Sequence, residues 1–340
     1  MIFSRTRRTR NESGLLVLLF VSTVFAGCVT LPPAIPPNVV IPEAHAEGYV
    51  LDFSPDGTVL ASGGASSIRL WRMPQGAAIA GWRAHNGVLR GLVFVEHGDV
   101  LISAAEDGTL ARWTLDGQLL IRQTSPSPIN DMAHDEAGER IFTAHDDGTV
   151  RTWSTRDLAL LAAEKRHPDD VDTVAWNGPT RQLATAGEEG EVIVAREGGP
   201  LRHLQRAPVD TIDLAFSPDG RVLVGGAWFD LYRWDLPDGR LRVLPTEHHG
   251  SIRSVEFTGD GRELVTISRE FDSAVLILNP ETGETLTRLQ SHYLCGAYVR
   301  LTQDGRYLAT TSDDASIRIW DLRSLLPPAT YSVHSPATDS

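Results

Sequence analysis

Lysine is almost absent from this 340-residue chain: apart from Lys165, every one of its 31 basic residues is an arginine. No Gly-Lys-Ser/Thr run exists, which excludes a Walker-type phosphate loop. Lys165 sits between Glu164 and Arg166 in what reads as a solvated turn, so it makes a poor Schiff-base amine. The metal and nucleophile patterns HExxH, CxxC and GxSxG are also missing. Cysteine occurs only as Cys28 and Cys295. Beyond residue 27 no stretch keeps a helical period long enough to argue a helix. The net charge is −13, and it reaches −16 without residues 1–27, which carry four arginines and one glutamate. No basic stripe interrupts that acidity, so a nucleic-acid partner is not expected. These absences predict a chain with no catalytic residues, no metal and no cofactor.

What is present is repetition. A short alternating run closed by tryptophan recurs as SIRLWR (67–72), GTLARWT (108–114), GTVRTWS (148–154), FDLYRWD (229–235) and SIRIWD (316–321). Two more copies, GEVIVA and SAVLILN, keep the frame without the indole. The frame positions are Trp71, Trp113, Trp153, Ala195, Trp234, Leu278 and Trp320, separated by 39 to 44 residues. A period of that size marks a repeat architecture. Upstream runs such as VLDFSPDG and IDLAFSPDG alternate with period two and end in Asp-Gly turns, which supply the positive φ of a tight hairpin. Alternation with turns every 8–12 residues means antiparallel strands. The predicted class is all-β, with four short strands per unit.

With these residues in view the chain resembles a WD40 β-propeller over residues 38–325, and the resemblance implies seven four-stranded blades. The WD40 pattern has a histidine near the unit start, a hydroxyl and an aspartate before the last turn, and a closing Trp-Asp. The seventh unit matches it as His292, Ser312, Asp314 and Trp320. The second keeps His85, Asp107 and Trp113 with Ala105 at the hydroxyl place, and the third keeps Asp147 and Trp153 without the histidine. His292, Ser312 and Asp314 could be read as a hydrolytic triad, but the resemblance makes them a structural lock, and triads are recognised by geometry. The His248-His249 pair falls where the pattern places a structural histidine.

A ring must fasten its last blade to its first. Asn38 to Pro42 is expected to supply the outermost strand of the seventh blade, with ATYSVH (329–334) as the competitor. The resemblance also implies a binding face at the narrow end of the ring, formed by one residue early in each inner strand. Those residues are Tyr49, Arg90, Asn130, Asp172, Ile212, Arg253 and Ala297, with Trp228 as a further candidate if exposed.

The first 27 residues read as an export signal. Arg5, Arg7, Arg8 and Arg10 precede an apolar core from Leu15 to Ala26 that is too short to span a bilayer. Phe25-Ala26-Gly27-Cys28 resembles the bacterial lipobox, which implies a diacylated Cys28 and leaves Cys295 without a disulfide partner. Val29 in place of aspartate implies sorting to the outer membrane, facing the periplasm. Residues 28–37 then form a Pro-rich tether and residues 326–340 a tail. The expected function is a non-catalytic, lipid-anchored scaffold for envelope or periplasmic proteins. The alternatives are a propeller enzyme or cofactor protein of hydrolase or quinone-dependent type, and a component of outer-membrane assembly.

Overall fold

A computed structural model of the chain describes residues 33–45, 48–135 and 140–325. They form seven antiparallel four-stranded sheets in sequence order around a channel. Blade 1 runs from Gly48–Phe53 through Val59–Gly64 and Ser67–Arg72 to Ala77–Arg83, from the channel outward. The next five blades repeat that order. Blade 7 has three strands of its own, Gly296–Leu301, Tyr307–Ser312 and Ile317–Asp321.

Sequence alternation explains the blade interiors. In every unit the frame residue of the third strand faces a leucine or isoleucine of the second. The pairs are Leu60–Trp71, Leu101–Trp113, Ile141–Trp153, Leu183–Ala195, Leu223–Trp234, Leu264–Leu278 and Leu308–Trp320. All fourteen side chains are buried. The units without an indole therefore still form four-stranded blades, because the frame position needs a buried apolar side chain rather than tryptophan as such. The least regular is blade 4, whose outermost strand is only Arg202–His203. Turn chemistry fixes the register. Gly148 has φ 70°, and a Cβ there would lie 2.0 Å from the Asp169 carbonyl, so glycine is required twice over.

The histidine lock recurs, with a correction to its hydroxyl. His292 Nδ1 is 3.0 Å from Asp314, but its Nε2 lies 2.7 Å from Thr310 Oγ1. Ser312, the expected partner, instead donates to the Leu294 carbonyl and accepts the Asp314 amide. Thr310 and Ser312 are two residues apart on one strand face, and the imidazole reaches the inner of the two. Blade 2 follows the same rule: Ser103, not position 105, bonds His85 Nε2 at 2.6 Å and accepts Trp113 Nε1 at 2.9 Å. Blade 3 does have a histidine, supplied by its second strand. His145 Nε2 is 2.7 Å from Thr143 Oγ1, which also accepts the Trp153 indole. Blades 4 and 6 keep His167–Thr185 and His248–Thr266 beneath Ala195 and Leu278. In blade 1, His45 Nε2 is 2.8 Å from Ser62 Oγ, which accepts the Trp71 indole, and burial holds all these imidazoles below their ordinary value, His45 and His85 at about 4. They act as hydrogen-bonding struts within their blades.

The N-terminal segment closes the ring. Val39–Ile41 pairs antiparallel with Ile317–Asp321 as the fourth strand of blade 7. The competing segment 329–334 lies outside the described residues. Just upstream, Ile35, inside the segment expected to be tether, exchanges backbone hydrogen bonds with Arg288 and Gln290 at the edge of blade 6. Its carbonyl also accepts the Trp320 indole at 3.2 Å. Replacing Thr310 with valine should cost about 1–3 kcal/mol in denaturant unfolding, because His292 loses a buried partner. A loss under roughly 0.5 kcal/mol would remove that hydroxyl from the lock.

Candidate functional site

Six of the seven inner strands begin with a defect in their ladder. Pairing with the second strand skips one residue between Gly48 and Val50, Leu89 and Gly91, Ile129 and Asp131, Val171 and Thr173, Ile252 and Ser254, and Gly296 and Tyr298. The skipped residues are Tyr49, Arg90, Asn130, Asp172, Arg253 and Ala297. A β-bulge re-aims the extra side chain, and Arg90, Asn130, Asp172, Arg253 and Ala297 all turn toward one mouth. In blade 5 the matching residue, Ile212, immediately precedes the strand Asp213–Phe216 and bonds the Gly226 carbonyl.

Six of the seven expected face residues, Arg90, Asn130, Asp172, Ile212, Arg253 and Ala297, line a cavity of about 620 Å³ at this mouth. The Tyr49 side chain lies outside the described residues, as does Cys28. Trp228 also lines the cavity and is 45 % exposed, stacked at 5.9 Å on Phe229. Hydrogen bonds continue this aromatic surface outward. The Phe229 amide bonds the Gly250 carbonyl, and Trp228 bridges to Ser251, whose strand partner is Arg269. Phe271, Tyr293 and Leu294 follow on the loops of blades 6 and 7, and all three are exposed.

The mouth is charged on both sides of its apolar part. On blade 4, burial and the neighbouring Asp170, Asp210, Glu188 and Asp146 push the Asp172 carboxyl up to about 6. On blade 6, burial and the like charges of Arg269 and Arg90 lower Arg253. Arg90 is tied to Glu106, and Arg269 to Asp313 at 2.8 Å. Asn130 donates to the Val171 carbonyl at 3.0 Å.

Deeper in the channel lie carboxylates that the sequence reading did not single out. Asp52 accepts the Phe94 amide, Asp131 the Val174 amide, Asp213 the Val255 amide and Glu256 the Leu301 amide, at 2.8–3.0 Å. Each staples its own inner strand to that of the next blade. At the closing seam, Arg300 of blade 7 stands between Asp52 of blade 1, at 2.9 Å, and Glu256 of blade 6, at 3.9 Å. Their signal in the sequence is an acid inside an otherwise apolar inner strand (VLDF, INDM, IDLAF, SVEF), a costly placement unless paired. Their oxygens are engaged by backbone amides, which leaves them poorly placed to act on a substrate. Among the described residues no group of three or more His, Cys, Asp or Glu could hold a metal ion.

Burial raises Asp213 and Glu256 to about 7. Glu256 therefore stabilises the fold fully below its ordinary value of 4.5, and that contribution is lost as pH rises through about 7. Glu256→Gln keeps an acceptor for the Leu301 amide and removes the titration. Between about pH 5 and about pH 8 the variant should gain up to about 3 kcal/mol relative to the parent. A stability difference independent of pH would mean that channel water solvates Glu256 as bulk water does.

Comparison with known proteins agrees with this geometry. The WD40 family, described as "WD domain, G-beta repeat", matches residues 39–72, 117–154 and 283–321. Apoptotic protease-activating factor 1 of Mus musculus is 25% identical over 70% of this chain and 19% of its own length. DDB1- and CUL4-associated factor 13 of Xenopus tropicalis is 23% identical over 77% of this chain and 61% of its own. Telomerase protein component 1 of Rattus norvegicus is 26% identical over 79% of this chain and 9% of its own. The chain thus spans less than two thirds of each of these relatives.

Proposed function

Because the chain is a WD40-repeat β-propeller, we propose that it is a non-catalytic platform that holds another protein against the mouth of its channel. The bulge-built collar carries this reading. Five ladder defects direct side chains of mixed chemistry into one cavity, beside exposed Trp228, Phe229 and Phe271. Exposed apolar surface rimmed by charge is the usual composition of a protein-binding patch. Aromatic and arginine side chains are those that most often anchor one. The channel acids, by contrast, serve the ring itself. The proposed partner is a protein of the bacterial envelope or periplasm, and the propeller reaches it from the outer membrane through lipid on Cys28. That part rests on the basic start, the short apolar core and the Ala-Gly-Cys ending of residues 1–28.

Crosslinking in living cells followed by mass spectrometry tests the platform. A reproducible protein partner should be lost from the double variant Arg90→Glu/Arg253→Glu while the melting curve stays cooperative. A partner retained by that variant would move the binding surface away from the mouth. Palmitate labelling tests the anchor: label should enter the parent chain and disappear in Cys28→Ala. Absence of label from the parent would remove the lipid from the proposal.

A further inference from the structure

The mouth carries its charges in a fixed order. Going round the rim, blade 4 presents Asp172, blade 5 presents Val209, Ile212 and Trp228, and blade 6 presents Arg253, all around the same cavity. Most polar groups near this rim are satisfied. Arg90 and Arg269 are paired with Glu106 and Asp313, and Asp210 accepts the Gly190 amide at 3.2 Å. Glu270 accepts both the amide and the hydroxyl of Ser251. Among the described residues, no hydrogen bond or ion pair closes on Asp172 or on Arg253. Each also stands in a crowd of its own sign: Asp172 with Asp170 and Asp210, Arg253 with Arg269 and Arg90. Asp213 and Glu270 also act on Arg253 but neither bonds it, so a ligand bearing the opposite charges meets an unpaired group at both ends of the rim. Between them, Trp228 and Val209 are 45% and 43% exposed and form an apolar step at the mouth.

We propose that the mouth recognises a polypeptide segment in which a large apolar side chain lies between a basic and an acidic one. The basic group meets Asp172, the apolar side chain rests on Trp228 and Val209, and the carboxylate meets Arg253. This specifies the partner chemistry of the platform and rests on that reading. Rim charges of this kind set partner choice and orientation more than raw affinity. A partner presenting the reverse order would bring like charges together at both ends.

A phage library of random twelve-residue peptides panned on the purified full chain provides the test. Enriched sequences should carry Lys or Arg and Asp or Glu on either side of Trp, Phe, Leu or Ile. A synthetic peptide of the enriched sequence should bind about tenfold more weakly to Arg253→Gln and to Asp172→Asn, the scale of one lost charge contact. Replacing the peptide's own acid by its amide should then weaken binding to the parent but not to Arg253→Gln. Thermal melts of both variants exclude unfolding as the cause. Peptides that need the mouth but carry one sign of charge, or none, overturn this assignment and leave the platform standing. Failure of any peptide to enrich, or peptides whose binding is unchanged by Arg253→Gln, Asp172→Asn and Trp228→Ala, overturns both.

Discussion

Each blade is a sheet with two apolar faces, and neither face is stable in water until another blade covers it. The second strands show this directly: Val59–Gly64, Val100–Ala105 and Gln182–Gly187 are buried at almost every position rather than at alternate ones. A linear stack of such sheets would always leave two faces bare. Closing the stack into a ring covers all of them, and the channel, its mouth and its seam are consequences of that closure. The N-terminal strand Val39–Ile41 completes the seam by covering an edge of blade 7 that would otherwise offer free amides to another chain.

Closure creates a second problem, which is what to place along the axis where seven inner strands converge. Those strands have few amides left for one another, and the solution is side chains acting across blades. Asp52, Asp131, Asp213 and Glu256 each accept an amide from the following blade. Arg300 compensates two of them where the first and last blades meet. Buried carboxylates are often a mark of catalysis, but the same perturbation arises where acids hold strands together. Here the geometry favours the second meaning, since the oxygens face backbone N–H groups of the protein itself.

The proposed function falls to the mouth of the ring. The bulge at the head of six inner strands releases one residue from the ladder without breaking the sheet beneath it. Its side chain can vary in size and charge at little cost to the fold. Arginine, asparagine, aspartate and alanine occupy this position among the described side chains, and isoleucine the matching place in blade 5. Rigid strands below and variable side chains above form an arrangement suited to selecting partners. The matched region makes up very different shares of the three relatives, which fits a module used in proteins of different overall construction.

Some of this was determined by the amino-acid order alone. Frame residues 39 to 44 apart, alternation, and glycine at the turns are local properties, and they sufficed for seven blades of four strands. The face residues were legible too, because their distance from the strand's last apolar residue is nearly constant. That they are bulged residues was not, since a ladder defect exists only relative to a paired strand. Nor could spacing choose between Thr310 and Ser312 for His292, because both point to the same strand face and only the reach of the packed imidazole separates them. The histidine of blade 3 came from an unexpected strand for the same reason. The carboxylate staples and the acid–apolar–base order of the rim join residues some forty or more positions apart. Only the closed ring brings those residues together, because neighbouring blades touch across a whole repeat of chain.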